Sequence, residues 1–340
     1  MLLLIGGSLA LTPMLTAQNR ANPLTSWTVT IALPPRLMAA HPATLAVLGV
    51  DGKLAPGVRV ELSDGRTVTT DRTGRAIFNA PATGGYLIAR GSGASAAALI
   101  DPAVGESEPK TAAIPLIVSV GDRFWVCGAG LHGRADEDGI TINGKPAVVL
   151  AASPVCLVAL PAASAQPGPA AVSAEAPGVQ WNARTTLVSL EFAPPQPTLK
   201  PGQKGQLVIR VRGSDEKIGI IAQNHTPEVL RFLGGDTQDL VTSGGPENSA
   251  TVAVQAISSG DFSFNARLVP SPDAPSAERY LRAAAALAPK DLQHRISDLA
   301  HRIAEEPREA EHIRIAVEKL AATTIEGDLR TLLDAAQAAL

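Results

Sequence analysis

Residues 140–147 of this 340-residue chain read Ile-Thr-Ile-Asn-Gly-Lys-Pro-Ala. The alternation of Ile140, Thr141 and Ile142 is typical of a β-strand with one buried and one solvent-facing side. The Asn143-Gly144 pair that follows is the pair that tight two-residue hairpin turns prefer. The stretch therefore predicts a strand, a sharp turn and the start of a second strand.

The sequence on either side of this hairpin also has strand and turn patterns, which together predict a β-sandwich over residues 111–183. A Gly-Ala-Gly-Leu segment at 128–131 precedes the hairpin, a strand ending in Leu160-Pro161 follows it, and Gly168-Pro169 begins a last strand. This order resembles the IPT/TIG family, an Ig-like fold of surface receptors and secreted bacterial proteins. Leu131 departs from the family pattern, which usually has an aromatic residue there. The resemblance implies a non-catalytic Ig-like sandwich.

A second β-module is predicted upstream, within residues 23–110, and the polar residues 101–112 are interpreted as a linker or a long loop. Val58, Val60 and Leu62 alternate with polar residues and end at the Asp64-Gly65 turn, and a return strand follows. The segment 71–78, with Gly74 at a turn position, completes a pattern that resembles the carboxypeptidase regulatory-like (prealbumin-like) and bacterial Ig-like families. Despite the first name, the resemblance implies a non-catalytic sandwich.

Two further regions follow downstream. Residues 184–272 carry alternating strands, such as Leu207, Ile209 and Val211 between polar residues, and predict a third β-sandwich. Residues 273–340 are rich in Ala, Leu, Glu and Arg and predict three or four short helices in a hairpin or small bundle. The apolar stripes at helical spacing are Leu292, Ile296, Leu299 and Ile303, then Ile313, Val317 and Leu320, then Ile325, Leu329, Leu332 and Leu333.

The predicted fold class is therefore mainly β, with serial Ig-like β-sandwich domains and a C-terminal α-helical segment. The composition agrees, because 30 glycines and 27 prolines indicate many turns. The net charge of −3 argues against a nucleic-acid partner. Aromatic residues make up only 3%, which is low for a stacking platform or a carbohydrate-binding face.

The N-terminal residues 1–22 predict a signal peptide. The first 15 residues contain no charge and an apolar run, which is shorter than the ~20 residues needed to span a bilayer. Ala17 is a candidate cleavage position, but no basic residue precedes Arg20. The alternative is a buried first strand. We expect an exported protein of the periplasm, cell surface or extracellular space, with no integral membrane span in the mature chain.

The chain has two cysteines, Cys127 and Cys156, both in the second module. In an IPT/TIG-like sandwich the strands that carry them are expected to be neighbours in one sheet. Two cysteines in one module of an exported chain favour a disulfide. The alternative is a pair of buried free thiols.

No motif for catalysis, a cofactor or a metal is present, and we expect no such site. The chain lacks Gly-x-Ser-x-Gly, His-Glu-x-x-His and phosphate-loop patterns. The acidic run at 136–138 lacks the spacing of a calcium loop and is interpreted as a solvated loop. His294 and His301 lie seven residues apart, which does not suit a helical metal pair, and the histidines are interpreted as surface residues.

These features predict a non-catalytic secreted or envelope-associated binding or scaffold protein, with an unknown protein or polysaccharide as ligand. An alternative is an accessory subunit of an envelope or secretion complex that binds its partner through the C-terminal helices. A glycan- or peptide-active enzyme is a third hypothesis, which the missing motifs disfavour.

Overall fold

The computed structural model describes residues 29–83, 85–103, 113–128, 130–176, 179–193, 199–269, 272–324 and 327–340. The predicted signal peptide, most of the predicted linker before residue 113, and Ala129 and Ile325 lie outside these residues. Contacts divide the chain into two compact units. One comprises Leu190–Leu268, and the other comprises Asn22–Ser189 together with Val269–Leu340. Each unit is described separately below.

The first β-sandwich contains eight strands in two sheets. One sheet is formed by β1, β3 and β6, and the other has the order β2-β8-β7-β4-β5. The predicted turn at Asp64-Gly65 joins β4 to β5, and Gly74 precedes β6 with a φ of 74°. The strands are β1 Thr30–Ala32, β2 Arg36–Met38, β3 Pro42–Leu48, β4 Arg59–Leu62, β5 Thr67–Thr69, β6 Arg75–Asn79, β7 Gly85–Gly91 and β8 Ala94–Asp101.

The second β-sandwich also contains eight strands. The predicted hairpin is confirmed, because β11 pairs with β12 across Asn143 and Gly144, which both have positive φ. One sheet contains β10, β14 and β13, and the other contains β12, β11, β15, β16 and β9. The strands are β9 Ile117–Ser119, β10 Phe124–Cys127, β11 Gly139–Ile142, β12 Lys145–Pro146, β13 Val148–Ala152, β14 Cys156–Leu160, β15 Gly168–Ala176 and β16 Val179–Ala193.

The two sandwiches are fused through a buried junction. Ala46 and Leu48 of β3 and Leu150 and Val158 of the second sandwich belong to one small apolar cluster, in which all four are nearly inaccessible to solvent. The sheets also meet directly, since Ala152 bridges to Thr44 of β3.

Gly133 shows how closely the fused sandwiches approach each other. It has a φ of 76°, and a Cβ atom added there would lie 2.1 Å from the carbonyl oxygen of Pro42. The hydroxyl of Thr44 donates to the Gly133 carbonyl at 2.9 Å. Only glycine fits this conformation and this approach without displacing the backbone.

The C-terminal segment forms four α-helices and one short 3₁₀ helix, as the apolar spacing predicted. Ile296, Leu299 and Ile303 are buried along one helix face. In the later stripes, Leu329 is half-buried, and the buried residues are Ile313, Val317, Leu320, Leu332 and Leu333. Asp273 caps the first helix by accepting a hydrogen bond from the amide of Ser276. The helices are α1 Ala274–Leu287, α2 Lys290–Glu305, α3 Ala310–Thr323 and α4 Asp328–Ala339, with the 3₁₀ helix at Pro307–Glu309.

The helical bundle packs on the first sandwich and covers the outer face of β7 and β8 in its β2-β8-β7-β4-β5 sheet. Ile88 of β7 and Leu99 of β8 belong to the same buried core as the helices, whereas their neighbours Leu87 and Ile100 belong to the sandwich core. These two strands are therefore buried on both faces. The helices complete the apolar packing of the first sandwich, and the bundle is not a free tail.

The third β-sandwich, in Leu190–Leu268, alternates strongly between buried and exposed residues. One sheet has the order β17-β21-β19 and the other the order β20-β18-β22. Leu207, Ile209 and Val252 lie on the buried face of the first of these sheets. The strands are β17 Lys204–Arg212, β18 Gly219–Asn224, β19 Leu230–Phe232, β20 Thr237–Val241, β21 Ser249–Ala256 and β22 Phe264–Leu268.

Candidate binding surfaces

Cys127 and Cys156 form a disulfide across β10 and β14. The two residues are directly opposite each other in the antiparallel pair, with their Cα atoms 4.0 Å apart. Cys156 is inaccessible to solvent and Cys127 nearly so. The bond closes a loop of 29 residues, and the chain-entropy model attributes about 3 to 4 kcal/mol of stabilisation to a loop of that length.

The turn before Cys156 also ties the two fused sandwiches together. The Ser153 hydroxyl accepts a hydrogen bond from the Cys156 amide at 2.9 Å and donates to the carbonyl of Arg36 at 2.6 Å. Ser153 is fully buried, so losing either partner would leave a polar group unsatisfied in the interior. This serine therefore links the disulfide-bearing turn to the first sandwich.

A buried carboxylate links the helices to the first sandwich. Asp101, at the end of β8, has a side chain that is only 7% exposed. Its two oxygens lie 2.7 Å from Nε of Arg36 and 2.6 Å from Nη1 of Arg279 in α1. Arg279 also donates to the carbonyl of Ile100 at 2.9 Å. Two cations thus compensate one desolvated anion at the junction.

Two further polar contacts secure the same junction. The Tyr280 hydroxyl lies 3.1 Å from the carbonyl of Pro35 and 3.3 Å from that of Ala97. Burial raises the pKa of this phenol above its ordinary value of 10.0, so it acts as a donor throughout the physiological range. The Thr331 hydroxyl in α4 donates to that of Ser95 at 2.9 Å.

The acidic run at 136–138 differs from the solvated loop that the sequence indicated. Asp136 and Glu137 are exposed, but Asp138 is buried. Its carboxylate accepts hydrogen bonds from the amides of His132 and Gly133 at 2.8 and 3.0 Å. Burial raises the pKa of Asp138 above its ordinary value of 3.8, although these hydrogen bonds oppose the shift. The residue holds the Gly133 loop in shape.

The histidines do not converge on one point. Among the described residues, no group of three or more His, Cys, Asp or Glu side chains could hold a metal ion. His294, His301 and His312 are exposed on the helices, and His301 lies 3.2 Å from Glu305. His41, His132 and His225 are half-buried. Burial lowers the pKa of His225 below its ordinary value of 6.5.

A shallow cleft of about 350 Å³ lies between α1 and α2. Alanines form its base, and polar side chains surround them. Arg282 at one side is paired with Glu278, and His301 at the other side is paired with Glu305. The charged groups around the cleft are thus already paired within their own helices. The lining residues are Arg282, Ala285, Ala286, Gln293, Ser297, Ala300 and His301.

The third sandwich carries an aromatic cluster that is unusual for so aromatic-poor a chain. Four of the six phenylalanines meet there. The ring of Phe264 lies 4.6 Å from that of Phe192, 5.9 Å from that of Phe262 and 6.3 Å from that of Phe232. Phe232 is buried and the other three are half-buried. Aromatic pairs at these distances contribute to stability beyond the area that they bury.

The outer face of the β17-β21-β19 sheet is exposed and basic. Lys204 and Arg210 of β17 point away from the core, and Arg231 of β19 lies on the same side. Arg212, at the end of β17, is paired with Glu191, whose two carboxylate oxygens both lie 2.8 Å from Nε of the arginine.

The fold defines a protein built of Ig-like β-sandwich modules with a C-terminal helical segment. No protein-family model matches the chain, and no curated protein matches it. In the described residues, no helix is long and apolar enough to cross a membrane.

Comparison with solved structures finds matches of low similarity. The extracellular region of plexin A4 matches at 10% identity and a TM-score of 0.26, covering 71% of this chain and 23% of the plexin chain. The chain thus spans less than a quarter of that protein. A Bacteroides ovatus protein, SGBP-B of a mixed-linkage glucan utilization locus, matches at 10% identity and a TM-score of 0.24, covering 70% and 73%. The four N-terminal Ig domains of Dscam1 isoform 4.44 match at 10% identity and a TM-score of 0.21, covering 69% of this chain and 74% of that chain. At these values, none of the three carries information about what this chain binds.

Sequence reasoning predicted the strands that carry the two cysteines, but it missed the Asp101 junction and the basic face. Asp101 was assigned to the polar stretch that begins the linker. The burial of β8 on both faces could have been predicted from the sequence, because Ala98, Leu99 and Ile100 are consecutive apolar residues that do not alternate with polar ones. Such a run indicates a strand covered on both faces.

Proposed function

We propose that the protein is an exported, non-catalytic binding and scaffold protein whose ligand is a protein or a polysaccharide. The observation that carries the proposal is the fusion of the first two sandwiches and the helices into one unit through buried junctions. Such a unit supplies a stable platform, and loops and sheet faces on a stable platform are the usual places for binding. The third sandwich interrupts this unit in the chain and can carry ligand contacts of its own.

The use of the buried polar groups supports a non-catalytic role. Asp101, Asp138 and Ser153 are each committed to hydrogen bonds or ion pairs that hold elements together. Tyr280 is committed in the same way. A catalytic group instead needs a free, reachable atom beside a substrate site. These groups stabilise the junctions between elements.

Two observations support export to the periplasm, cell surface or extracellular space. The Cys127–Cys156 bond is the kind of crosslink that persists in oxidising compartments. The uncharged apolar segment at the start of the chain is the second. We propose in addition that residues 23–110 form a regulatory-like module and residues 111–183 an IPT/TIG-like module, supported by the observed hairpins of both.

An accessory subunit that binds through its helices is the second candidate. The apolar faces of the helices already contact one another and the β7-β8 sheet face. A partner would therefore have to bind the outer, polar surface of the bundle, where the α1-α2 cleft lies. We favour the platform role for the helices of residues 273–340, and we propose that residues 184–272 form the third module.

The proposal is tested in two arms. Thiol trapping in the native host should find Cys127 and Cys156 oxidised, and cell fractionation should place the protein outside the cytoplasm. Purified protein should then bind at least one member of a panel of envelope polysaccharides and envelope proteins without chemically changing it. Reduced cysteines in a cytoplasmic pool, or turnover of a panel member by the purified protein, would contradict the proposal.

A further inference from the structure

The outer face of the β17-β21-β19 sheet carries the strongest inference beyond this function. Residues directly opposite each other in antiparallel strands lie on the same face of a sheet. Leu207 lies opposite Val252 on the buried face, so the alternate residues of β17 and β21 point outward. We call this outer surface the cationic face, and its defining residues are Lys204, Gln206, Arg210, Arg231, Thr251 and Gln255.

Every charged residue within these three strands is basic. The strand sequences Lys204–Arg212, Ser249–Ala256 and Leu230–Phe232 contain no Asp or Glu. The third sandwich as a whole has about as many acidic as basic residues, so its acidic residues lie outside these three strands, and one of them, Glu191, pairs with Arg212. The positive charge is therefore concentrated on one sheet face and does not reflect a general excess.

These strands carry four cations, and three of them are available for a ligand. Arg212 is neutralised by Glu191. In the part of the chain that the structure describes, Lys204, Arg210 and Arg231 make no ion pair with a carboxylate, and all three are exposed. Three unpaired cations on one flat surface create a positive potential that attracts a multivalent anion.

The spacing of the cations suits an extended polymer. Lys204 and Arg231 both flank Gln255, so they lie two strands apart, which is about 10 Å. Arg210 lies six residues along β17 from Lys204, which is about 20 Å. A compact anion cannot reach all three, whereas an extended chain with a carboxylate on each unit contacts them together.

We propose that the cationic face binds an acidic polysaccharide, a polymer whose sugars carry carboxylates. This inference rests on the proposed binding function and names its ligand class and surface. Guanidinium groups form two-pronged bonds with carboxylates, and Gln206, Thr251 and Gln255 offer the donors and acceptors that sugar hydroxyls need. The face requires no aromatic stacking, which fits the low aromatic content of the chain.

An acidic protein partner fits this face less well. Protein interfaces depend on buried aromatic or aliphatic anchors in pockets. The cationic face is open, and its central outward residues are small or amide side chains such as Thr251 and Ala253. The larger apolar groups at this surface are Val208, which is half-buried, and Leu233, which is 44% exposed. The chemistry therefore favours multivalent hydrogen bonding and ion pairing.

The test uses the full chain and polygalacturonate as probe, with poly-L-glutamate and neutral dextran for comparison. The wild-type protein should bind polygalacturonate more tightly than poly-L-glutamate and should not bind dextran. Affinity should fall about tenfold or more when sodium chloride is raised from about 0.05 M to about 0.5 M, because salt screens exposed charges. The variant with Lys204→Gln, Arg210→Gln and Arg231→Gln should lose about tenfold or more in affinity.

The matched control removes the same charge from other exposed sites, by Lys217→Gln, Arg295→Gln and Arg308→Gln. It should bind as the wild type does, and both variants should keep the wild-type melting temperature. Equal loss in the two variants would overturn the surface assignment, and equal binding of poly-L-glutamate would overturn the polysaccharide assignment. If polygalacturonate does not bind but another panel member does, this inference fails and the proposed binding function stands.

Discussion

Strand β8 of the first sandwich and strand β17 of the third are similar in length but differ in which faces they bury. In β17, Ile209 and Val211 are buried, while Arg210 between them is exposed. In β8, the consecutive residues Leu99 and Ile100 are both buried, so buried and exposed residues do not alternate there. The difference arises because helices cover the second face of β8, whereas water covers that of β17.

This contrast shows what a helical segment does for a sandwich. Leu99 and Ile88 lie in the helical core, whereas their neighbours Ile100 and Leu87 lie in the sandwich core. A sheet with two apolar faces cannot remain exposed in water without a large cost in free energy. The first sandwich therefore depends on residues far along the chain, such as Arg279, which lies 178 positions after its partner Asp101.

Removing the helices should have the largest effect. A chain ending at residue 272 would expose Ile88, Leu99 and the other residues of that sheet face. We expect the first sandwich to lose its cooperative unfolding transition and to become sensitive to proteolysis. A fragment of residues 186–270 should by contrast fold alone, as circular dichroism and proton NMR dispersion would reveal. A stably folded chain without the helices would contradict the dependence described above.

A single-residue comparison gives the next largest effect. Leu99→Ala removes a buried side chain between sheet and helices and should cost about 3 kcal/mol of unfolding free energy. Leu233→Ala makes the same chemical change at a residue of the third sandwich that is 44% exposed, and it should cost less than about 1 kcal/mol. Urea denaturation monitored separately for the two units measures both. Equal losses of unfolding free energy in the two variants would show that the helices do not cover this face of the sheet.

The ion pairs at the junction give a smaller effect. Asp101→Asn removes the negative charge between Arg36 and Arg279 and should cost about 2 kcal/mol, because both arginines are partly exposed and can regain some hydration. Glu278→Gln, which breaks a pair within α1, should cost about 0.5 kcal/mol or less. Thermal unfolding of the two variants beside the wild type provides the comparison. The difference would disappear if α1 were not docked through Asp101.

The smallest effect is the opposite response of two carboxyl groups to pH. The Arg314 side chain holds the pKa of Glu311 below its ordinary value of 4.5, so its stabilisation is present above 4.5 and is lost as the pH falls through the lower folded-state pKa. Burial raises the pKa of Asp138 above 3.8, so its contribution favours folding at low pH and is lost as the pH rises through that raised pKa. Carboxyl carbon chemical shifts recorded during an acid titration should show both directions. A pKa of Asp138 below 3.8 would contradict its burial.

Local patterns were sufficient to predict most of the fold from the sequence. The Asn143-Gly144 hairpin, the Asp64-Gly65 turn and the helical stripe of Ile296, Leu299 and Ile303 each depend on residues close in the chain. Turn residues and apolar spacing act over a few residues, so they can be recognised directly from the sequence. The mainly β class with a helical C-terminal segment follows from them.

The long-range features could not be predicted in the same way. Nothing local to Asp101 indicates that Arg279 will lie 2.6 Å from it, because that pair depends on docking of the whole bundle. The cationic face likewise depends on the register of three strands, which brings Arg231 beside the row of Lys204. The acidic run was misinterpreted at Asp138 because its burial depends on the close approach of the first sandwich.

Amide hydrogen exchange under native conditions tests most directly whether the helices and the first sandwich form one cooperative unit. Helices α1 and α4 and strands β7 and β8 should open with one shared, high free energy, because they share a buried core. Strands β17 and β21 should follow the separate opening free energy of the third sandwich. Fast exchange of α1 and α4 while β7 and β8 remain protected would contradict the account.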